Sequence, residues 1–114
     1  MSAEPLFLGI DAGGSATRAR LTSPSGAVFG EGAAGPGTAR LGMDASFDAM
    51  LLAAREAWRA AGLGRLDFAR LSAGAGIAGF RRQDVAEAFR ARPHPFGALR
   101  LSDDGAIAAN ASRA

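Results

Sequence analysis

The amino-terminal third of the chain follows the periodicity of strands, and this pattern limits the fold more than any other feature. Residues 6–10 form a short continuous apolar run, which is typical of a strand buried on both faces. Residues 15–22 alternate between two sets of side chains, which predicts a half-buried strand. A turn with Pro24 and Gly26 follows, and residues 27–35 indicate a third strand that glycine weakens. We therefore expect three consecutive strands with short antiparallel connections.

The rest of the chain switches between helical and extended patterns. A helix is predicted over 43–61, with Asp44 as its N-cap and apolar residues at spacings of three and four. A strand, a helix, a strand and the start of a further helix are predicted at 67–76, 83–92, 97–102 and 104–112. The order β-β-β-α-β-α-β-α predicts an α/β fold with a mixed five-stranded sheet and helices on its faces.

The composition fits one small domain and excludes several kinds of site. The chain has 114 residues, of which 48% are hydrophobic, and a net charge of +2. All 13 basic residues are arginines scattered along the chain, so we expect no nucleic-acid partner. The absence of cysteine excludes disulfides, thiolate catalysis and cysteine-ligated metals. There is no signal-peptide pattern and no run of about 20 apolar residues, so we expect a cytoplasmic protein without a membrane partner.

The turn of the first hairpin combines a carboxylate, glycines and hydroxyls. The stretch GIDAGGSATRARL at 9–21 places these groups within seven residues, as Asp11, Gly13, Gly14, Ser15 and Thr17. Glycines let backbone N–H groups approach an anion, and a carboxylate at a strand end can hold Mg²⁺ through water. The stretch fits the phosphates of a metal-bound nucleotide, whereas a plain glycine hairpin is the alternative. The dinucleotide-binding motif is excluded because its glycine spacing differs and because a strand, not a helix, follows the glycines. A Walker loop is excluded because the chain has no lysine.

Two further stretches place small residues or carboxylates directly after strands. Residues 74–80, GAGIAGF, form a small-residue turn, and residues 101–110, LSDDGAIAAN, put Asp103 and Asp104 after the last strand. Ligands in open α/β sheets bind beyond the carboxyl ends of the parallel strands. We therefore expect Asp11 and Asp103 at the same edge of the sheet. A tight connection in the first stretch and a helix cap in the second are the alternatives.

These motifs together resemble a known family. In their order and spacing, GIDAGGSATRARL, GPGTAR, LSAGAGIAG and LSDDGAIAA resemble the BadF/BadG/BcrA/BcrD ATPase family, and within it the N-acetylglucosamine and glucosamine kinases. That family belongs to the actin, sugar kinase and heat-shock chaperone superfamily, which has a ribonuclease-H-like fold. The resemblance covers essentially the whole chain. It implies that residues 1–114 are the N-terminal lobe of an ATP- and Mg²⁺-dependent amino-sugar kinase, and that a C-terminal lobe is missing here.

The resemblance also implies a role for each motif residue. The first phosphate loop falls on Asp11, Gly13, Gly14, Ser15 and Thr17, with Asp11 also holding Mg²⁺. The residues of the sugar pocket fall on Thr38, Gly76, Ala78, Gly79 and Asp103. Asp103 is the implied catalytic base, and Asp104 is the alternative base or a helix cap. The chain departs from the family at Thr38, where an Asn is expected, and at Ala16, where a Lys or Arg is common.

Other functions stay open on the sequence alone. A non-catalytic actin-like module that senses a nucleotide or sugar is one alternative. An activator ATPase of a radical dehydratase is another, although that branch holds an iron–sulfur cluster with cysteines, which this chain lacks. A structural domain without activity is a third. The oligomeric state is also open, with a homodimer as one alternative. A kinase lobe alone is expected to be inactive, because closure of two lobes keeps water from the reaction.

Overall fold

The computed structural model describes residues 6–80 and 83–103, apart from the side chain of Gln83. The strands in these ranges are β1 (Leu6–Ala12), β2 (Thr17–Thr22), β3 (Val28–Ala34), β4 (Leu71–Ile77) and β5 (Ala98–Ser102). The α-helices are α1 (Met43–Ala60) and α2 (Gln83–Ala91). Neither of these two helices is long and apolar enough to cross a membrane.

The strands form one mixed sheet in the order β3-β2-β1-β4-β5. β1 pairs antiparallel with β2, and β2 pairs antiparallel with β3. On the other side β1 pairs parallel with β4, and β4 pairs parallel with β5. The predicted α/β fold with a mixed five-stranded sheet is therefore confirmed. The helix predicted over 104–112 lies outside the described residues.

Both helices cover the same face of this sheet. Helix α1 crosses β3 so closely that a Cβ atom on Gly32 would lie 2.2 Å from the carbonyl oxygen of Ala53. Phe89 of α2 packs against Phe47 of α1, with ring centroids 5.6 Å apart. Because side chains alternate along a strand, this face takes every second residue of each strand. Its buried residues include Leu8, Ile10, Ala12, Thr17, Ala19, Leu21, Leu71, Ala73, Ala75, Ile77 and Leu101.

One predicted strand starts later than its sequence indicates. The strand expected over 67–76 begins only at Leu71, because a 3₁₀ turn that starts at Phe68 precedes it. Phe68 is buried there between two aromatic rings, with centroid distances of 6.5 Å to Trp58 and 5.2 Å to Phe96. Aromatic packing with distant residues therefore overrides the local strand preference.

The predicted N-cap of α1 is wrong. The helix begins at Met43, and Gly42 occupies the N-cap position with a φ of 98°. Glycine has no side chain, so the helix has no side-chain cap. Asp44 lies in the first turn instead, where a negative charge is favourable beside the free N–H groups of the helix. Its carboxylate pairs with the guanidinium of Arg92, which follows α2 and also lies over the ring of Phe47. Asp44 therefore joins the two helices.

A Gly32→Ala substitution tests the close approach of α1 to β3. The added Cβ would lie 2.2 Å from the oxygen of Ala53 and 2.5 Å from the nitrogen of Ala57, both backbone atoms of α1. The helix would have to move, so we expect the free energy of unfolding to fall by about 1–3 kcal/mol in urea denaturation. Gly35→Ala is the control, because a Cβ there meets nothing within 4 Å. Equal losses in both variants would contradict this packing.

Candidate functional site

Two of the predicted carboxylates lie at the carboxyl ends of the parallel strands. Asp11 of β1 lies in register with Gly76 of β4, and Gly76 lies in register with Ser102 of β5. Two strand spacings separate the outer residues, so the Cα atoms of Asp11 and Ser102 are about 10 Å apart. Asp103 directly follows Ser102 and is exposed. Asp11 and Asp103 thus lie at the same edge, as predicted, whereas Asp104 is outside the described residues.

The turn between β1 and β2 presents open backbone donors. Within the described residues, the N–H groups of Gly14, Ser15 and Ala16 donate to no acceptor. Gly14 and Ser15 are exposed, and a Cβ on Gly14 would meet nothing within 4 Å. The Gly13 N–H differs, because it donates to the Ala16 carbonyl at 2.9 Å. Three adjacent open N–H groups beside the hydroxyl of exposed Ser15 are donors of the kind that hold phosphate oxygens.

Thr17 does not belong to this donor set. The register of the hairpin pairs Asp11 with Arg18, and Ala12 with Thr17. Side-chain alternation therefore turns Thr17 towards the helices, while Asp11 and Arg18 share the opposite face. Thr17 is 0% exposed, and its hydroxyl donates to the Gly35 carbonyl at 2.8 Å. The predicted contact between Thr17 and phosphate is not supported by this geometry, and the hydroxyl anchors the loop after β3 instead.

Asp11 fits a magnesium ion that arrives with phosphates. In residues 6–80 and 83–103, no group of three or more acidic or histidine side chains could enclose a metal. Mg²⁺ bound to a nucleotide needs only one or two protein carboxylates, because phosphates and water complete its coordination. Asp11 is an exposed carboxylate beside the open N–H groups, which meets this need. Arg18, exposed on the same face, brings a positive charge to the turn that Ala16 does not supply.

The segment after β3 joins this turn to the turn after β4. The Gly37 N–H donates to the Gly13 carbonyl at 3.0 Å. The Ala39 N–H and the Thr38 hydroxyl both donate to the Ala78 carbonyl, at 2.7 and 3.0 Å. Residues 35–39, called the connector below, therefore bind the other two predicted loops by hydrogen bonds. All three loops lie together at one edge of the sheet.

Thr38 uses its hydroxyl inside the protein. The side chain is 8% exposed, and its oxygen also accepts a long hydrogen bond of 3.4 Å from the Arg40 N–H. A sugar contact by Thr38, which the resemblance implies, is therefore not supported, and the residue holds the turn after β4 instead. In that turn Gly76 is buried, whereas Ala78 and Gly79 are exposed at the edge. Gly79 has a φ of +80°, a backbone conformation that residues other than glycine rarely adopt.

Sequence reasoning missed Ser46. This residue of α1 is fully buried, and its hydroxyl donates to the Gly37 carbonyl at 2.7 Å. Its position in the sequence could have indicated its burial. Ser46 lies four residues before Met50, which lies three residues before Ala53, so all three share the apolar side of α1. A polar side chain on the buried side of a helix requires a hydrogen-bond partner. Ser46 thus fixes the connector from the helix side.

No family model matches the chain. The chain is 31% identical over 98 residues to the glucosamine kinase GspK of Vibrio cholerae serotype O1, a match that covers 86% of the chain and 33% of that relative. A crystal structure from Chromobacterium violaceum, provisionally described as an N-acetylglucosamine kinase, matches with a TM-score of 0.78 and 26% identity, over 87% of this chain and 35% of that one. The chain thus spans about a third of each relative. Both relatives agree with the resemblance seen in the sequence.

Thr17 and Thr22 provide a matched test of the connector's anchor. Both are buried threonines of β2, but the Thr17 hydroxyl donates to Gly35, whereas the Thr22 hydroxyl has no partner among the described residues. Valine keeps the shape of threonine and removes the hydroxyl. We expect Thr17→Val to lower the free energy of unfolding by about 0.5–1.5 kcal/mol, because the hydrogen bond to the Gly35 carbonyl is lost. Thr22→Val should be neutral or stabilising. Urea denaturation measures both, and equal effects would refute the anchoring role.

Proposed function

We propose that this chain is the N-terminal lobe of an ATP-dependent amino-sugar kinase of the BadF/BadG/BcrA/BcrD ATPase family, which its motifs resemble. The kinase transfers the γ-phosphoryl group of ATP to a hydroxyl of N-acetylglucosamine or glucosamine. The observation that carries the proposal is the common edge of the sheet, where open phosphate-type donors, two exposed carboxylates and the connector come together. The names of the two relatives supply the sugar class.

The turn between β1 and β2 is the proposed phosphate side of the site. The N–H groups of Gly14, Ser15 and Ala16 and the Ser15 hydroxyl bind phosphate oxygens, and Asp11 holds Mg²⁺. When bound, Mg²⁺ neutralises the charge that develops on the β- and γ-phosphates. Phosphoryl transfer has a loose transition state, so positioning and charge neutralisation supply most of the rate enhancement. Backbone donors suit this task because the sheet fixes their direction before the nucleotide binds.

The carboxyl end of β5 is the proposed acceptor side. Asp103 orients the sugar hydroxyl and accepts its proton as the phosphorus–oxygen bond forms. A positioned base of this kind is worth about 10²–10⁴-fold in rate. The exposed backbone of Ala78 and Gly79, which the connector holds in place, lines the space for the sugar. Asp104, outside the described residues, is the alternative base.

We further propose that the activity requires a second lobe. About two thirds of each relative has no counterpart in this chain. The edge described above is open to water, and a γ-phosphoryl group in such a site would be lost to hydrolysis. Closure of a C-terminal lobe over the edge excludes water and brings the nucleotide to the acceptor. A cytoplasmic location and the absence of a nucleic-acid partner stay predictions.

An Asp103→Asn substitution in the complete protein tests the acceptor side. The amide cannot accept the proton, so we expect kcat for sugar phosphorylation to fall by about 10²–10⁴-fold while nucleotide binding is retained. Asp67→Asn is the control, because Asp67 is an exposed aspartate that precedes β4, away from its carboxyl end. More than a few per cent of the wild-type rate in Asp103→Asn would contradict the assignment. ATPase activity that does not depend on sugar would favour a sensor module.

An Asp11→Asn substitution tests the phosphate side. Loss of the carboxylate should raise the Mg²⁺ concentration needed for half-maximal activity by about tenfold or more. A metal titration of sugar phosphorylation in the complete protein measures this shift. Asp48→Asn, at an exposed position of α1, is the control and should titrate like the wild type. An Asp11 variant with the wild-type titration curve would exclude Asp11 as the metal-binding residue.

A further inference from the structure

The Thr38 hydroxyl is not available to donate to a sugar beside the connector. The Thr38 hydroxyl is buried and donates to the Ala78 carbonyl, so it offers no donor to a ligand. Ala78 and Gly79 are exposed at the edge but have no polar side-chain atoms. The first residue after the connector is Arg40, which is exposed and has a polar side chain. It follows Ala39, whose N–H donates to the same carbonyl oxygen of Ala78.

Arg40 lies against the turn after β4. Its Cγ is 3.4 Å, and its backbone nitrogen 3.6 Å, from the position that a Cβ on Gly79 would take. The guanidinium is only a few bonds beyond Cγ, so rotamers of the outer bonds can place it beside this turn. Among the residues that the structure describes, Arg40 makes no ion pair and no side-chain hydrogen bond. Its charge and its five donors are therefore available to a ligand at this edge.

The chemistry of this group distinguishes the two candidate acceptors. A guanidinium donates hydrogen bonds, accepts none, and keeps its positive charge at all ordinary pH values. It suits carbonyl and hydroxyl oxygens and repels a cation at short range. N-acetylglucosamine carries a neutral amide with a carbonyl oxygen, whereas the same nitrogen in glucosamine is an ammonium below its pKa. The two sugars do not otherwise differ.

We propose that Arg40 is a specificity-determining residue that makes the site select an N-acylated, uncharged amino sugar over one with a free ammonium group. The inference rests on the proposed kinase function and names its substrate class. Arg40 contacts the N-acyl carbonyl from the side of Gly79. The base Asp103 and the phosphate turn are common to both sugars and do not discriminate between them.

The test compares kcat/KM for N-acetylglucosamine and glucosamine in the complete protein, below the pKa of the glucosamine amine. The wild type should prefer N-acetylglucosamine. We expect Arg40→Gln, which keeps the stem and removes the charge, to lower this preference about fivefold, and Arg40→Glu to lower it further or reverse it. Arg55→Gln is the matched control, because Arg55 is an exposed arginine of α1 outside the edge. It should keep the wild-type ratio.

The possible outcomes distinguish a failure of the proposed role of Arg40 from a failure of the proposed kinase function. If both sugars are phosphorylated and the ratio stays within about twofold in both Arg40 variants, the role of Arg40 is overturned while the kinase stands. A wild type that prefers glucosamine also overturns it. Calorimetric titration of each sugar repeats the comparison without turnover, so a slow variant still gives a result. A wild type that neither binds nor phosphorylates either sugar overturns the proposed function and this inference together.

Discussion

The close approach of the connector to the hairpin at Gly37 holds the site together. A Cβ on Gly37 would lie 2.3 Å from the Thr17 hydroxyl and 2.9 Å from the Ala12 side chain, so only glycine fits there. Its N–H donates to Gly13, and its carbonyl accepts from Ser46. Gly37 thus joins the turn between β1 and β2 to α1. Any side chain at this point would separate these elements and open the edge of the sheet.

The two faces of the sheet carry different kinds of residue. The face under the helices carries the buried core, and the other face carries Asp11. Both helices pack on one face, and α1 approaches β3 closely because Gly30 and Gly32 have no side chains there. At the start of the same helix, the Ser46 hydroxyl donates to the connector. Asp11 alternates onto the other face, where no helix of the described chain packs. The same alternation that buries the core therefore keeps the carboxylate at the solvent.

Much of this arrangement was predictable, and the exceptions have physical causes. Periodicity gave the order of the strands and helices, because each depends on local alternation of side chains. The common edge for Asp11 and Asp103 followed from the rule for parallel strands. Phe68 was misassigned because its partners Trp58 and Phe96 are distant in sequence. Thr17 shares a strand face with the apolar Ala19, so its burial could have been inferred from the sequence.

The departures from the family pattern show that a motif match predicts the backbone conformation better than it predicts side-chain contacts. The glycines specify backbone paths, because steric room is a property of the chain itself, and those paths are present here. A side-chain contact depends on where one atom finds its partner, and a substitution can redirect it. Thr38 replaces an amide with a short hydroxyl, which finds the Ala78 carbonyl at 3.0 Å inside the protein. The backbone of the turn after β4 is thereby held, and the exposed side chain beside it is Arg40, which follows the connector. Substrate choice in such a site can change without any change in the fold.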